Sequence, residues 1–500
     1  SSHRARVVPF GGERMTREVH EDSSVTQLAS RAFRWSFLNT VASRLGPLFI
    51  GIALARLLGP EQFGVFAIAM VTLMAVLSFN ELGVSLAIIR WRDDPASIAP
   101  TTNTISVLSS ALLTAGVVIG APWISTALGD VQATPVVQVM ALSIVINGLV
   151  ATPAAILQRE FMQKQRTIAD QVKTWLGAGI SLTLALFGWG AMSLAIGHLV
   201  ASVVFAVMLL RWSPLPYRFG WNKAILGKLF RFGIPLALSS IVLCASGYAD
   251  QMIVGSVLGA HALGLYVLAF NLASWPVSIF SHPLRAVAPA AFSALKDDPP
   301  RMSRNFSRVL ALLSCVAVPV CLALSGAAEP VVGFVYGDAW QASADVLLWL
   351  AALAALRIWF ELAYDYLVVI GKSGSVLVIQ ACSFAVSLPV MLLAVHPFGE
   401  AGVAAAQFAV SLAVVLPLYA ISLHRSGVRI SDSAKAVAIP VGTAILVWPA
   451  AWAFAQFIAI PFLAAAAAGL LAAAVIGALV YRLRDDVKAL RLSGRAKGVT

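Results

Sequence analysis

Apolar residues run along most of the chain for about 20 positions at a time, break over a few glycines, prolines or charged residues, and then resume. Barrel strands would alternate within segments of about ten residues. These runs are longer and do not alternate, so they fit helices crossing a hydrocarbon layer about 30 Å thick. Fourteen spans are expected, roughly 36–58, 63–85, 103–125, 135–157, 168–188, 191–210, 232–258, 263–288, 307–328, 343–369, 374–395, 400–422, 436–456 and 458–480.

The breaks alternate in charge. One set holds "REFMQKQR", "RWSPLPYRFGWNKAILGKLFR", "KDDPPRMSRNFSR", "HRSGVRISDSAK" and "YRLRDDVKALRLSGRAK", all basic. The other set, around Gly59-Pro60-Glu61, Gly129-Asp130, Gly188-Trp189-Gly190, Gly259-Ala260-His261, Gly337-Asp338 and Pro397-Phe398-Gly399-Glu400, has acids and almost no Lys or Arg. Lysine and arginine favour the cytosolic side, so both termini are expected there. Arg44, Arg56 and Arg357 fall outside the basic set.

Two stretches return. Gly59 and Gly64 align with Gly259 and Gly264, carrying Leu58 onto Leu258, Phe66 onto Tyr266 and Ala69 onto Ala269. "GAMSLAIGHLVAS" from Gly190 aligns with "GEAGVAAAQFAVS" from Gly399, placing His198 over Gln407 and Ser202 over Ser411. Both pairs join spans of the same direction, so a parallel repeat is expected, with spans 1–6 matching 7–12 and two spans appended. The implied organisation is a tail at 1–32, a six-helix bundle at 33–211, a linker at 212–231, a second six-helix bundle at 232–424, two further helices at 425–481 and a basic tail at 482–500.

Composition agrees with the pattern. With 59% hydrophobic and 12% charged residues the chain cannot cover a soluble core, so an all-α integral membrane protein is expected. The net charge of +12 sits between spans and does not suggest nucleic acid. Cys244, Cys315, Cys321 and Cys382 all fall inside spans and read as small packing residues rather than a disulfide framework. The first 32 residues are polar, without a signal-peptide pattern, and Met15 is a candidate start.

"LARLLGPEQFGVFAIA" followed by "ELGVSLAIIR", then "LQREF", "ADQMIVGSVLGAHALGLYVLA", "APAAFSAL" and "VYGDAW", resembles the polysaccharide transporter family, the Wzx-type flippases. Their superfamily also contains multidrug and toxin extrusion proteins and lipid II flippases. The resemblance covers most of residues 30–425 and rests on the order and spacing of the motifs. It implies two helical bundles around a central cavity and export of polyprenyl-pyrophosphate-linked oligosaccharide across the bacterial inner membrane, as in exopolysaccharide, capsule or lipopolysaccharide O-antigen assembly. Membrane lipids and polysaccharide polymerase machinery are the implied partners.

An anionic headgroup crossing hydrocarbon needs cations to replace water. Arg44 lies inside span 1, three residues before Pro47, which would bend the helix. Arg357, Glu361 and Asp365 follow at successive i+4 steps in span 10 and share one face. Each arginine could line a cavity or close a structural ion pair. Asp250 stands alone among apolar residues of span 7, where an ionised acid is costly, and it occupies the acidic position of the family's motif there. It reads as a coupling or conformational switch. Pro47 and Pro235 are the hinge candidates. Arg56 reads as a snorkelling side chain at the carbonyl end of span 1. Lys173 with Asp170 reads as an interfacial pair, Glu81 as interfacial packing, and His198 as interhelical polar glue.

No catalytic constellation, metal-ligand cluster, phosphate-binding loop or cofactor motif is visible, so an enzyme is not expected. Moving negative charge out of a cell with a negative interior is favourable by about 2.3 kcal/mol per charge per 100 mV. Two rivals remain, a cation-coupled drug exporter of the same superfamily and a membrane-embedded glycan polymerase or ligase.

Overall fold

The computed structural model describes residues 49–78, 95–160, 162–285, 292 and 298–482, with side chains described throughout except at 223–226, 228–246, 280–285 and 299. Arg44, Pro47 and Glu81 lie outside the described residues. Pro235 and Cys244 lie in a described helix, but their side chains do not belong to the described set.

The described chain is almost wholly helical. In order the helices are α1 (Phe49–Ser78), α2 (Ala99–Ala127), α3 (Thr134–Arg159), α4 (Gln163–Leu186), α5 (Ala191–Trp212), α6 (Lys223–Arg285), α7 (Pro299–Gly326), α8 (Ala328–Tyr336), α9 (Ser343–Val369), α10 (Ser373–Val410), α11 (Leu416–His424), α12 (Ile430–Phe457) and α13 (Pro461–Arg482). A π-helical turn, Ser411–Val415, joins α10 to α11. Among the described residues, ten helical units are long and apolar enough to cross a membrane, which makes this a multi-pass all-α membrane protein.

Three of these units fold back on themselves at a glycine. In α6, Gly259 has φ 87° and ψ 179°. Tyr266 hydroxyl reaches Asp250 Oδ2 at 2.9 Å, although sixteen residues of straight helix would separate them by about 24 Å. The two arms are therefore antiparallel. Gly399 (φ 62°, ψ −150°) breaks α10 in the same way, and Met391 and Gln407 on its two sides line one cavity. Gly59, with φ 71°, is the corresponding break in α1. Only glycine adopts these angles without strain, which is why the apolar pattern resumes at once after each.

Several boundaries differ from the sequence expectation. The helix expected from residue 232 begins at Lys223, shortening the linker, and the helix expected from 307 begins at Pro299. There Asp298 caps the first turn through Arg301 N at 3.1 Å. The connection before Lys223 is tied to the start of α2, with Asn103 Nδ2 donating to Arg218 O at 2.9 Å and Thr104 Oγ1 to Gly220 O at 2.9 Å. The two last helices pack on α7, where Trp448 Nε1 donates to Ser325 Oγ at 3.1 Å and the Ser307 and Ser433 hydroxyls meet at 2.8 Å.

One apolar core runs through Ile68, Met140, Ile144, Val254, Tyr266, Trp340 and Val395, so residues before and after 223 share it. A second core is built on the aromatic trio Phe292, Phe306 and Tyr366.

Candidate functional site

A polar cavity lies among α6, α9, α10 and the π-helical turn. Its larger lobe, about 370 Å³, is lined by Arg357, Glu361, Tyr364, Gln380, Ser383, Ser411 and Tyr419 among others. A lobe of about 220 Å³ adds Asp250, Phe270, Ser387, Met391 and Gln407 and shares Arg357, Gln380, Ser383 and Ser411 with the first. The two lobes adjoin across these shared residues.

Arg357 sits fourteen residues into α9, roughly 21 Å from its start at 1.5 Å per residue, and thus near the middle of that helix. Its guanidinium lies 5.6 Å from the Phe270 ring centroid, and the side chain is exposed to the cavity. The aromatic face steadies the cation by a contact that uses none of the guanidinium N–H donors. Glu361, one turn on, lines the same lobe. Asp365, the third member of the expected stripe, is 8% exposed and does not line either lobe. Two further turns rotate an i+4 series by about 80° on a 3.6-residue helix, enough to carry the third residue off the cavity face.

Asp250 is buried, with Tyr266 donating to Oδ2, and its Oδ1 has no hydrogen-bond partner among the described residues. Arg357 and Gln407 face the same lobe, and the arginine charge reaches the carboxylate. The sequence placed Asp250 and Arg357 in separate roles, whereas folding brings them to one cavity. In the sequence, Gln380, Ser383 and Ser387 carry no assigned role and Ser411 only a place in the repeat. The first three recur at i, i+3 and i+7, a polar face inside an apolar span, and that spacing was the available signal. Ser411 opens the π-helical turn, a local irregularity that often marks functional positions.

Beyond the cavity, at the end of the molecule carrying Gly59, Gly259 and Gly337, helices before residue 223 (the first group) and after it (the second group) meet backbone to backbone. A Cβ on Gly64 would overlap the Ala260 carbonyl, and one on Gly264 the Pro60 carbonyl. Trp340, fully buried, donates from Nε1 to Ala55 O at 3.1 Å and packs edge-on against Phe63 at 5.6 Å. The expectation that Arg56 serves the carbonyl end of its own helix is not met. Arg56 Nε donates to Val335 O at 2.8 Å and its Nη2 to Phe334 O, so it caps α8, whose last carbonyls have no partner within that short helix. This end is closed.

In the first group, Lys173 also departs from expectation. It lines a separate cavity with His198 instead of forming an interfacial pair, and no salt bridge joins it to Asp170 among the described residues.

The sequence model of the family described as "Polysaccharide biosynthesis protein" matches residues 53–345, more than half of the chain. The chain belongs to this family. Among similar proteins, the lipopolysaccharide biosynthesis protein WzxC of Escherichia coli (strain K12) is 23% identical over 332 residues, covering 65% of this chain and 66% of that protein. The succinoglycan biosynthesis transport protein ExoT of Rhizobium meliloti (strain 1021) is 23% identical over 319 residues, covering 64% of each. In both, the match spans just short of two thirds of the relative's own length. The fold is that of the lipid II flippase MurJ in its inward closed conformation (TM-score 0.76, 14% identity, 90% of this chain and 99% of that one). It is also similar to an inward-facing multidrug resistance MATE transporter (TM-score 0.61, 16% identity, 78% and 96% covered). At such identities the likeness speaks for the fold, and the chemistry must come from the family's own cavity.

Proposed function

We propose that this family member is a flippase that carries polyprenyl-pyrophosphate-linked oligosaccharide across the bacterial inner membrane by alternating access. The observation that carries the reading is Arg357, a guanidinium held near the middle of a spanning helix and exposed to a polar cavity. An arginine at that depth is costly unless it serves an anion. The rest of the lining, Gln380, Ser383, Ser387, Ser411 and Gln407, offers hydroxyl and amide groups suited to sugar hydroxyls.

Counting each glycine-broken unit as two crossings and adding α4 gives the fourteen spans of the proposal. The parallel repeat is supported by backbone geometry: Gly190 (φ 55°, ψ −141°) and Gly399 (φ 62°, ψ −150°) match, as the alignment requires. The bundles would be residues 33–211 and 232–424, with both termini cytosolic, so that the closed end faces outward and the cavity is reached from inside. Repeat-built transporters rock one half on the other about a midplane site. Arg44 and Arg357 would contact pyrophosphate or acidic sugar groups, Glu361 would orient Arg357, and Pro47 and Pro235 would flex. Asp365 drops out of the contact set. No reaction is assigned to the protein, and a polysaccharide polymerase would receive the product.

Asp250 supports a second reading, a cation-coupled drug exporter of the same fold, because a buried carboxylate with one oxygen unpartnered among the described residues suits a cation. Vesicles reconstituted with the protein and a fluorescent lipid-linked oligosaccharide separate the two. Flipping faster than in protein-free vesicles is expected. Absence of flipping with cation-driven uptake of a cationic dye would favour the exporter, and polymer formation would favour an enzyme.

A further inference from the structure

The cavity beside Lys173 has no role in the site described above. It measures about 300 Å³ and is lined by Leu54 and Phe66 of α1, Lys173, Thr174 and Ser181 of α4, and His198 of α5. Lys173 is ten residues into α4, near the middle of that helix, and half-buried. Its Nζ lies 5.0 Å from the Phe205 ring centroid, and its charge reaches His198. Asp170, a turn away, is exposed, and its attraction reaches Lys173 without a salt bridge among the described residues. An ammonium at this depth could snorkel only by abandoning the ring.

The wall behind it is fixed. A Cβ on Gly197 would overlap Ser181 Oγ, and one on Gly177 would press on Ala201 at 3.2 Å, so α4 and α5 cross with almost no slack. The space therefore cannot close by letting the helices approach. Its position also mirrors the Asp250 lobe. Phe66 and His198 align with Tyr266 and Gln407, the residues that contact or face Asp250. The charges are not equivalent by position, since Asp250 aligns with Ile50, but one cavity holds an acid and the other a lysine.

We infer that the Lys173 cavity is a second anion subsite that takes a phosphate oxyanion, with Lys173 as the charge and Thr174, Ser181 and His198 as neutral partners. Lysine binds phosphate as a point charge on a flexible stem; Ser181 can add a directional bond, and Thr174 can do so once its hydroxyl turns from Asp170 O, to which it donates at 2.8 Å. The inference rests on the flippase reading for what carries the phosphate: Arg357 in one half and Lys173 in the other would hold one substrate across the two bundles.

The experiment uses the full-length protein in nanodiscs and inorganic pyrophosphate as probe, followed by calorimetric titration. In zwitterionic lipid, Lys173→Met is expected to weaken binding at least tenfold, Lys173→Arg to restore most of it, and Thr174→Val to weaken it several-fold. Arg357→Gln is expected to leave a Lys173-dependent component. Weaker pyrophosphate binding in phosphatidylglycerol nanodiscs, with the competition lost in Lys173→Met, would identify a lipid headgroup as the occupant. Unchanged binding in both Lys173→Met and Thr174→Val, or no wild-type binding in a preparation that flips substrate, overturns the subsite and leaves the transport reading standing. Lys173-dependent binding without any flipping would do the reverse.

Discussion

Arg56 donates its Nε hydrogen to the carbonyl of Val335, 279 residues away, at 2.8 Å. The bond joins the first helix group to the end of α8, and one turn of chain later Trp340 returns a bond to Ala55 O at 3.1 Å. Reciprocal side-chain-to-carbonyl bonds, beside the Gly64–Gly264 contact, form a latch that must open if this end is ever to admit the cavity to the outside. Hydrogen bonds from a charged group contribute about 1.5–3 kcal/mol when sheltered and less when exposed, as Arg56 is. Arg56→Ala is therefore expected to raise the rate of labelling of a cysteine at Ala260 by a few-fold. An unchanged rate would mean that the latch carries no closing energy.

Gly64→Val should act in the same direction and more strongly. The new side chain would overlap the Ala260 carbonyl, and overpacking of this kind costs about 1–3 kcal/mol. Transport is expected to fall by about tenfold at normal expression, with the Ala260 cysteine reactive throughout. Normal transport would show that this contact never closes during the cycle.

A cysteine at Asp338, introduced after Cys244, Cys315, Cys321 and Cys382 are replaced, should react with an impermeant thiol reagent applied outside. Asp338 lies at the closed end, in the short turn before the buried Trp340. Labelling from the cytosolic side alone would invert the proposed topology.

Arg357→Ala should lower flipping by about 10- to 100-fold, the range for losing a charge-assisted bond, with Arg357→Lys retaining more. Arg44→Ala and Arg44→Lys are expected to follow the same order. Normal export by both alanine variants at equal expression would assign the arginines a structural role.

Asp250→Asn keeps the shape of the side chain and its bond to Tyr266 while fixing neutrality. With Arg357 and Tyr266 as the charged and titratable groups facing it, the substitution should alter the pH or ion dependence of transport more than the amount of protein. Identical flipping by wild type and variant across pH and sodium gradients would leave Asp250 as a packing residue.

Local chemistry made part of this legible in advance. Runs of about 20 apolar residues dictate membrane helices because hydrocarbon leaves no other way to satisfy the backbone, and Gly59, Gly259 and Gly399 mark turns because other residues resist positive φ. Arg357 and Asp250 stood out since isolated charge is costly in a span. Their shared cavity was not legible, because it depends on which arms of α6, α9 and α10 face one another. The same limit hid the partner of Arg56. Sequence periodicity reports which face of a helix is polar, but the carbonyls that Arg56 caps belong to a helix 279 residues on, and only the packing of the two groups brings them together. Lys173 reads as interfacial for the same reason: the Phe205 ring and the cavity wall beside it exist only once α4 and α5 have crossed.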